Sequence, residues 1–345
     1  MEKRIDFRSD TVTLPSPAML QAMATAPLGD DVLGEDPTVN RLEQMAAEKF
    51  GKEAGLLLTS GTAGNLVALA AHTNKGEEVI MEAQSHIYWY EAGGIASICG
   101  CIPRLIPGHH GALDPDDIRR AIRDRSNVHY PLTSLICLEN THNAWGGTAI
   151  NLEQMGAVRE VADEYQLAVH LDGARVFNAA VALGVDVRQI GEQVDSLTFC
   201  LSKGLGCPVG AVLVGSAQFI AKARRIRKML GGGMRQAGII AAPGIVALEN
   251  TDHIAVDHAH ARRLAESLAE IDRIDLDLER VQTNIIRFQL EGGLKADWLA
   301  DELAKAGILI HKVSHEGVRM VTHKDISKED IDYTIDVFHQ IFAGS

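Results

Sequence analysis

Up to about Leu248 the chain alternates short apolar runs with stretches of helical periodicity. The runs at 56–59, 79–82, 102–106, 134–138, 168–171, 196–201 and 211–214 predict seven strands. Helix-length segments at 63–72, 115–124, 152–164 and 217–230 fall between most of them. Near-continuous apolar strands alternating with helices predict a mostly parallel sheet covered on both faces, the α/β class. Beyond Leu248 the pattern changes. A long amphipathic helix through Glu270 precedes a strand at 284–289, a helix near 296–306, short strands at 308–311 and 317–321, and a last helix from Lys328. That is a smaller α+β unit, so the expected division is 1–250 and 251–345, with no internal repeat or low-complexity stretch.

Composition narrows the function classes. With 345 residues, 46% apolar and 23% charged, the chain is long enough for a large shared core and lacks the make-up of a disordered protein. A net charge of −13 argues against a nucleic-acid backbone or an anionic membrane surface as partner. The basic cluster Arg224-Arg225-Ile226-Arg227-Lys228 reads, in that context, as one solvated helix face. No apolar run reaches the ~18 residues of a spanning helix, and the nearest, Gly238 to Leu248, is broken by Pro243. The opening Met1-Glu2-Lys3-Arg4-Ile5-Asp6 has no apolar leader core, so a cytoplasmic location is expected. Five cysteines disfavour a disulfide framework, and Cys137 and Cys200, in apolar runs, read as core residues. Neither Cys99-Gly100-Cys101 nor the pairs His109-His110 and His258-Ala259-His260 has further ligands at metal-like spacing, so no metal site is expected.

In an open parallel sheet, ligands sit beyond the carboxyl ends of the strands. After the first strand comes Ser60-Gly61-Thr62-Ala63-Gly64-Asn65 and a helix, a backbone that can approach an anion, although Ser-Gly-Thr is also an ordinary capped turn. The strand at 168–171 runs into Asp172-Gly173-Ala174-Arg175, where the Asp could be a metal ligand, a base, a charge partner or a helix cap. The strand at 196–201 runs into Ser202-Lys203-Gly204-Leu205-Gly206. A lysine held at the ligand edge of a sheet can act as a nucleophile toward a carbonyl. A phosphate-shaped loop, a strand-end Asp and a loop Lys, in this order, point to pyridoxal phosphate, with the Asp on the ring nitrogen and the Lys in Schiff-base linkage.

The sequence closely resembles the L-threonine aldolases, members of the aspartate-aminotransferase-like (fold type I) group of pyridoxal-phosphate enzymes. The resemblance covers nearly the whole chain. It rests on Arg8-Ser9-Asp10-Thr11-Val12-Thr13, Gly34-Glu35-Asp36-Pro37-Thr38, Ser60-Gly61-Thr62, Ser85-His86, Glu139-Asn140-Thr141-His142-Asn143, His170 to Arg175, Ser202 to Gly206 and Arg319-Met320-Val321-Thr322-His323. It implies that Lys203 carries the cofactor, Asp172 pairs with the pyridine nitrogen, His86 stacks on the ring, and Gly61 and Thr62 bind the phosphate. Arg235 corresponds to an arginine that reaches a phosphate, in this family usually from a neighbouring subunit. Ser9, Arg175 and Arg319 correspond to groups that hold the substrate carboxylate, Arg175 bordering the cofactor as well. His129 matches a histidine near the substrate β-hydroxyl. Asp31-Val32-Leu33-Gly34 departs from the family's Asp-Val-Tyr-Gly, which weakens inference about side-chain preference.

The implied function is cleavage of the Cα–Cβ bond of L-threonine or L-allo-threonine to glycine and acetaldehyde, with Lys203, His86 and His129 as the catalytic set and a small β-hydroxy amino acid as substrate. Alternatives are a phenylserine-type aldolase, a β-eliminating lyase or an aminotransferase of the same fold, and a cofactor-binding protein without catalysis. Several residues have plainer readings. Arg175 could pair with Asp172, His129 could be structural, Arg319 could be an exposed edge residue, and Arg235 could point into solvent. The loop Gly231-Gly232-Gly233 before Arg235 suits a residue that crosses a subunit boundary, so a homodimer with sites at its interface, paired into a homotetramer, is expected.

Overall fold

The structure is a computed structural model that describes residues 4–343. Met1, Glu2 and Lys3, read above for a leader, lie outside these residues. All seven expected strands are present, with ends within two residues of the expected ones. They are β1 (Ala54–Leu58), β2 (Glu78–Glu82), β3 (Ile102–Ile106), β4 (Thr133–Glu139), β5 (Ala168–Asp172), β6 (Ser196–Cys200) and β7 (Ala211–Gly215). They form one seven-stranded sheet in the order β1-β7-β6-β5-β4-β2-β3. The pairs from β6 to β3 are parallel, while β7 is antiparallel to both β1 and β6. That single inversion leaves β1 and β6 running the same way. The carboxyl ends of β1, β2, β4, β5 and β6 therefore open on one edge, which brings distant motifs together.

Two helices precede β1, namely α1 (Pro17–Thr25) and α2 (Pro37–Phe50). Each starts at a proline behind a side-chain cap. Ser16 accepts from the Met19 N–H, and Asp36 from the N–H groups of Thr38 and Val39. Proline at the first helical position costs no intrahelical bond. The following helices include α3 (Gly61–His72), α4 (Leu152–Tyr165), α5 (Ala217–Met229) and α6 (Gly238–Glu249). The helix expected at 115–124 ends at Ala121, because Ile122 turns extended.

The basic stretch in α5 corrects an expectation. Arg227 is buried, donating to the Leu57 carbonyl at 2.8 Å and pairing with buried Asp31 at 2.8 Å. Arg224 reaches Glu43 at 2.6 Å. Far from being one solvated face, the helix uses these arginines to tie α2 and the loop before it to the sheet.

The later part of the chain follows the expected α+β pattern. It holds α7 (His253–Leu268), β8 (Ile285–Leu290), α8 (Ala296–Lys305), β9 (Gly317–Val321) and α9 (Lys328–Ala343). β8 and β9 pair antiparallel at the centre of a four-stranded sheet edged by Ile274–Asp275 and His311–Lys312. Among the described residues three hydrophobic clusters pack around the large sheet, and another joins α7, α8, α9 and this small sheet. Ile5 and Phe7 pack into the small-sheet cluster and Ile5–Asp6 pairs with Ile308–Leu309, while Asp10 pairs with Arg175 of the large-sheet part, so the N-terminal segment spans the two. Among the described residues no helix is long and apolar enough to cross a membrane.

Candidate active site

A cavity of about 180 Å³ opens at the carboxyl edge of the large sheet, lined by Ser60, Gly61, Thr62, Asn65, His86, Glu91, Asp172, Ala174, Cys200, Ser202 and Lys203. Four separate strand ends supply these residues. A larger, open hollow of about 630 Å³ lies elsewhere, between Pro107 and Ala157, and is lined by none of the residues that the resemblance assigns to the cofactor or the substrate.

The floor is set by α3. Ser60 caps it, its Oγ accepting from the Ala63 N–H at 3.1 Å. Close packing on β6 requires glycine twice. A Cβ on Gly61 would lie 2.7 Å from Cys200 Sγ, and one on Gly64 would lie 2.3 Å from Thr198 Cγ2. The helix start is thereby held against the strand, with its first free N–H groups and positive dipole end bordering the cavity.

Asp172 ends β5. One oxygen accepts from the Ala174 N–H at 3.1 Å, and the other from Asn65 Nδ2 at 2.8 Å. The same Asn65 nitrogen donates to Glu91 Oε1 at 2.8 Å, and Glu91 Oε1 lies 3.0 Å from His86 Nδ1. The donor atoms of His86, Glu91 and Asp172 lie within 4.8 Å of one another. With amide N–H groups of Asn65 already directed at both carboxylates, the set is a hydrogen-bonded cluster. Burial lowers the affinity of His86 for a proton, but the Glu91 bond and the charges of Asp172, Glu139 and Glu91 outweigh it, leaving the pKa above its ordinary value. Glu91 is likewise raised, mainly by burial.

Two arginines converge beside this cavity. Arg175 does not pair with Asp172. Its Nε and Nη2 grip the two oxygens of Asp10 at 2.6 Å each, with both side chains buried. Burial pushes the Asp10 carboxyl up, yet the Arg175 charge and hydrogen bonds win and bring it to about 2. Arg319, on β9, is not an exposed edge residue. It donates to Asn143 Oδ1 at 2.9 Å and to the Arg8 carbonyl at 3.0 Å, and its buried Nε has no partner. Burial, then repulsion from Arg175, lowers it to about 10. Buried positive groups that repel one another favour a bound anion. Ser9 caps the short turn that carries Asp10, accepting from the Thr11 N–H at 3.2 Å.

Glu139, at the end of β4, ties the two halves together. Its oxygens accept from the backbone N–H of His86 at 2.7 Å and from the backbone N–H of Asn143 at 2.8 Å, so one carboxylate anchors both the backbone at His86 and the residue that holds Arg319. Asn65, Glu91, Asp10 and Glu139 had no role assigned from the sequence. A signal was present for one of them, since Glu82, Glu139 and Asp172 all end strands that open on the same edge.

Two residues stand apart. His129 is exposed between the helix Pro115–Ala121 and β4, and does not line the cavity. Arg235 is exposed too and pairs with Asp30 at 2.9 Å. All five cysteines are free and buried; Cys137 packs in the core as expected, whereas Cys200 borders the cavity.

Residues 6–291 match the beta-eliminating lyase family. The chain is 46% identical over 329 residues to the low specificity L-threonine aldolase of Escherichia coli K12, covering 95% of this chain and 96% of that one. It is 45% identical over 344 residues to low-specificity L-threonine aldolase 1 of Arabidopsis thaliana, covering 98% and 96%. In three dimensions it is similar to a solved Leishmania major threonine aldolase, with a TM-score of 0.86 and 19% identity over 98% of this chain and 99% of that one. The aspartate-aminotransferase-like fold that the sequence led one to expect is the fold observed.

Proposed function

Because the chain belongs to the beta-eliminating lyase family, and within it to the low-specificity L-threonine aldolases, we propose that it is a pyridoxal-phosphate-dependent carbon–carbon lyase that converts L-threonine or L-allo-threonine to glycine and acetaldehyde. The observation that carries this reading is the convergence of Lys203, Asp172, His86 and the glycine-built start of α3 in one cavity, next to Arg175 and Arg319.

The residues present fit the cofactor. Gly61 and Gly64 let the start of α3 lie close against β6, and the N–H groups of Gly61 and Thr62, the first of the helix, are left to meet a phosphate. Lys203 Nζ is the amine that would hold the carbonyl carbon, Asp172 the carboxylate that would face the ring nitrogen, and His86 the ring that would stack. When bound, the cofactor supplies an electron sink for the charge left on Cα as the Cα–Cβ bond breaks.

The remaining work falls to the protein. Arg319 and Arg175, with Ser9, hold the substrate carboxylate, and the unpartnered Arg319 Nε is a donor available to it. Fixing the carboxylate orients the Cα substituents and selects which bond is broken. His86, with Nδ1 turned to Glu91, has Nε2 left to accept the proton of the β-hydroxyl, directly or through a water. A histidine whose pKa is held above its ordinary value by neighbouring carboxylates suits that transfer. His129 would join the set only by movement of its segment or by contact with a second subunit.

Assembly belongs to the same proposal. Leu28, Leu33, Met229 and Ile239 are exposed around the Gly231–Gly233 loop, an apolar area suited to a second copy. Arg235 on that rim would then face a neighbouring phosphate site, in a homodimer and, by pairing, a homotetramer. A coupled assay tests the reaction. Threonine should yield acetaldehyde and glycine, whereas release of ammonia or conversion of an added keto acid would favour elimination or transamination.

A further inference from the structure

The polar chain behind the cavity has a direction. His170 is fully buried on β5, and burial holds it to a pKa of about 3, so the ring is neutral. Its Nδ1 lies 2.9 Å from Ser196 Oγ, and its Nε2 lies 3.2 Å from Asn65 Oδ1. An amide oxygen only accepts, so His170 Nε2 carries the hydrogen and Nδ1 accepts from the Ser196 hydroxyl. Ser196 Oγ in turn lies 2.7 Å from His72 Nε2, which must then donate to it.

This chain fixes the orientation of Asn65, whose Nδ2 faces Glu91 and Asp172 at 2.8 Å each. The flipped amide would set its oxygen against two carboxylates. Both amide hydrogens are therefore committed, and Glu91 Oε1 is held in place beside His86 Nδ1. Glu91 is buried, and its Oε2 has no hydrogen-bond partner. So costly a buried carboxylate is retained where it holds another group.

Resting on the aldolase reading, we propose that Glu91, clamped by Asn65, is a positioning residue that keeps neutral His86 protonated at Nδ1 and so leaves Nε2 free as the proton acceptor. This is the arrangement in which a carboxylate sets the tautomer of a catalytic imidazole. Asn65 also links that carboxylate to Asp172, so the base and the group facing the cofactor nitrogen share one mount.

His86 is faced by charged and titratable groups from several elements: Glu91 on its own connection, Asp172 from β5, Glu139 from β4, and Lys203 and the neutral thiol of Cys200 around the cavity, with the Tyr90 ring 5.6 Å away. Removing the Glu91 charge leaves the others in place, which makes the change readable.

The test is a pH titration by ¹⁵N NMR of the full chain labelled at histidine, with and without pyridoxal phosphate, the His86 signals identified by their loss in His86→Asn. In the wild type, neutral His86 should carry its proton on Nδ1. Glu91→Gln should lower the His86 midpoint by about one pH unit or more. In the holoenzyme the acid limb of kcat/KM for threonine should move down with it, and kcat should fall about tenfold with KM little changed, as for loss of an orienting partner. Glu91→Asp should restore the midpoint in part. A wild-type His86 protonated at Nε2 when neutral, or a midpoint and acid limb unmoved in Glu91→Gln, overturns the proposal. The wild-type tautomer decides the matter even if a variant fails to fold. Because it is read without turnover, failure of the proposal is distinct from failure of the aldolase reading.

Discussion

At the scale of single residues, the site is governed by which buried charges are paired and which are left for a ligand. Asp10 and Arg175 form a two-pronged pair with almost no exposure. Asp10→Asn would leave Arg175 buried without its counter-charge, at a cost of about 3–5 kcal/mol. Tm should drop by roughly 6 °C or more, and KM for threonine should rise as Arg175 reorients. Calorimetry and initial rates check both. The pH dependence has a definite sign. With a folded value near 2 against an ordinary value near 4, Asp10 contributes stability that is fully present above about pH 4 and is lost as pH falls toward 2. That acid-side loss should be smaller in the variant. None of this pairing was legible in the sequence. Asp10 stood in a quoted motif, but its partner lies 165 positions away. Asn65 and Glu91 were hidden for the same reason, since a hydrogen-bond network between distant segments leaves no local period. By contrast Lys203, Asp172, Gly61 and Thr62 were legible because each stands at or just after a strand end, and His86 through the family resemblance; all five line one cavity.

At the scale of elements, the seven strands were legible because parallel strands covered on both faces read as unbroken apolar runs. The helices α1 and α2 were missed, although Ser16-Pro17 and Asp36-Pro37 carry the cap-then-proline signal. The order β1-β7-β6 was not legible either, since nothing in a local pattern says that β7 inserts between two earlier strands. That insertion positions α3 against β6, and it can be tested there. Gly64→Ala would drive a Cβ to 2.3 Å from Thr198 Cγ2, so α3 must shift and carry Gly61 and Thr62 with it. The Kd for pyridoxal phosphate should rise about tenfold, the equivalent of ~1.4 kcal/mol. Adding Thr198→Ala removes the clashing methyl, leaves Cβ at 3.2 Å and should recover most of the affinity; Thr198 Oγ1 makes no hydrogen bond that the change would lose. Cofactor titration that shows no change in the single variant would contradict this account of the cradle.

At the scale of the whole molecule, we propose two cores that meet near residue 250, bridged by the N-terminal segment, whose Ile5 and Phe7 pack with the second. Arg319 comes from that second core to face Arg175 from the first, so the proposed carboxylate site would form where the two meet. The proposed dimer adds Arg235. Arg235→Ala should weaken cofactor retention on gel filtration without lowering Tm by more than a degree or two, since its bond to Asp30 is exposed. A monomer by light scattering that retains cofactor and full activity would exclude an interface site. The central claim is that this cavity, through Lys203, cleaves threonine between Cα and Cβ. Its most direct test is to measure glycine and acetaldehyde formed from L-threonine by the wild type and by Lys203→Ala at saturating pyridoxal phosphate. The wild type should give the two products in equal amounts, and the variant should be slower by about a thousandfold or more. Wild-type turnover without acetaldehyde, or a Lys203→Ala variant within tenfold of wild type, would contradict it.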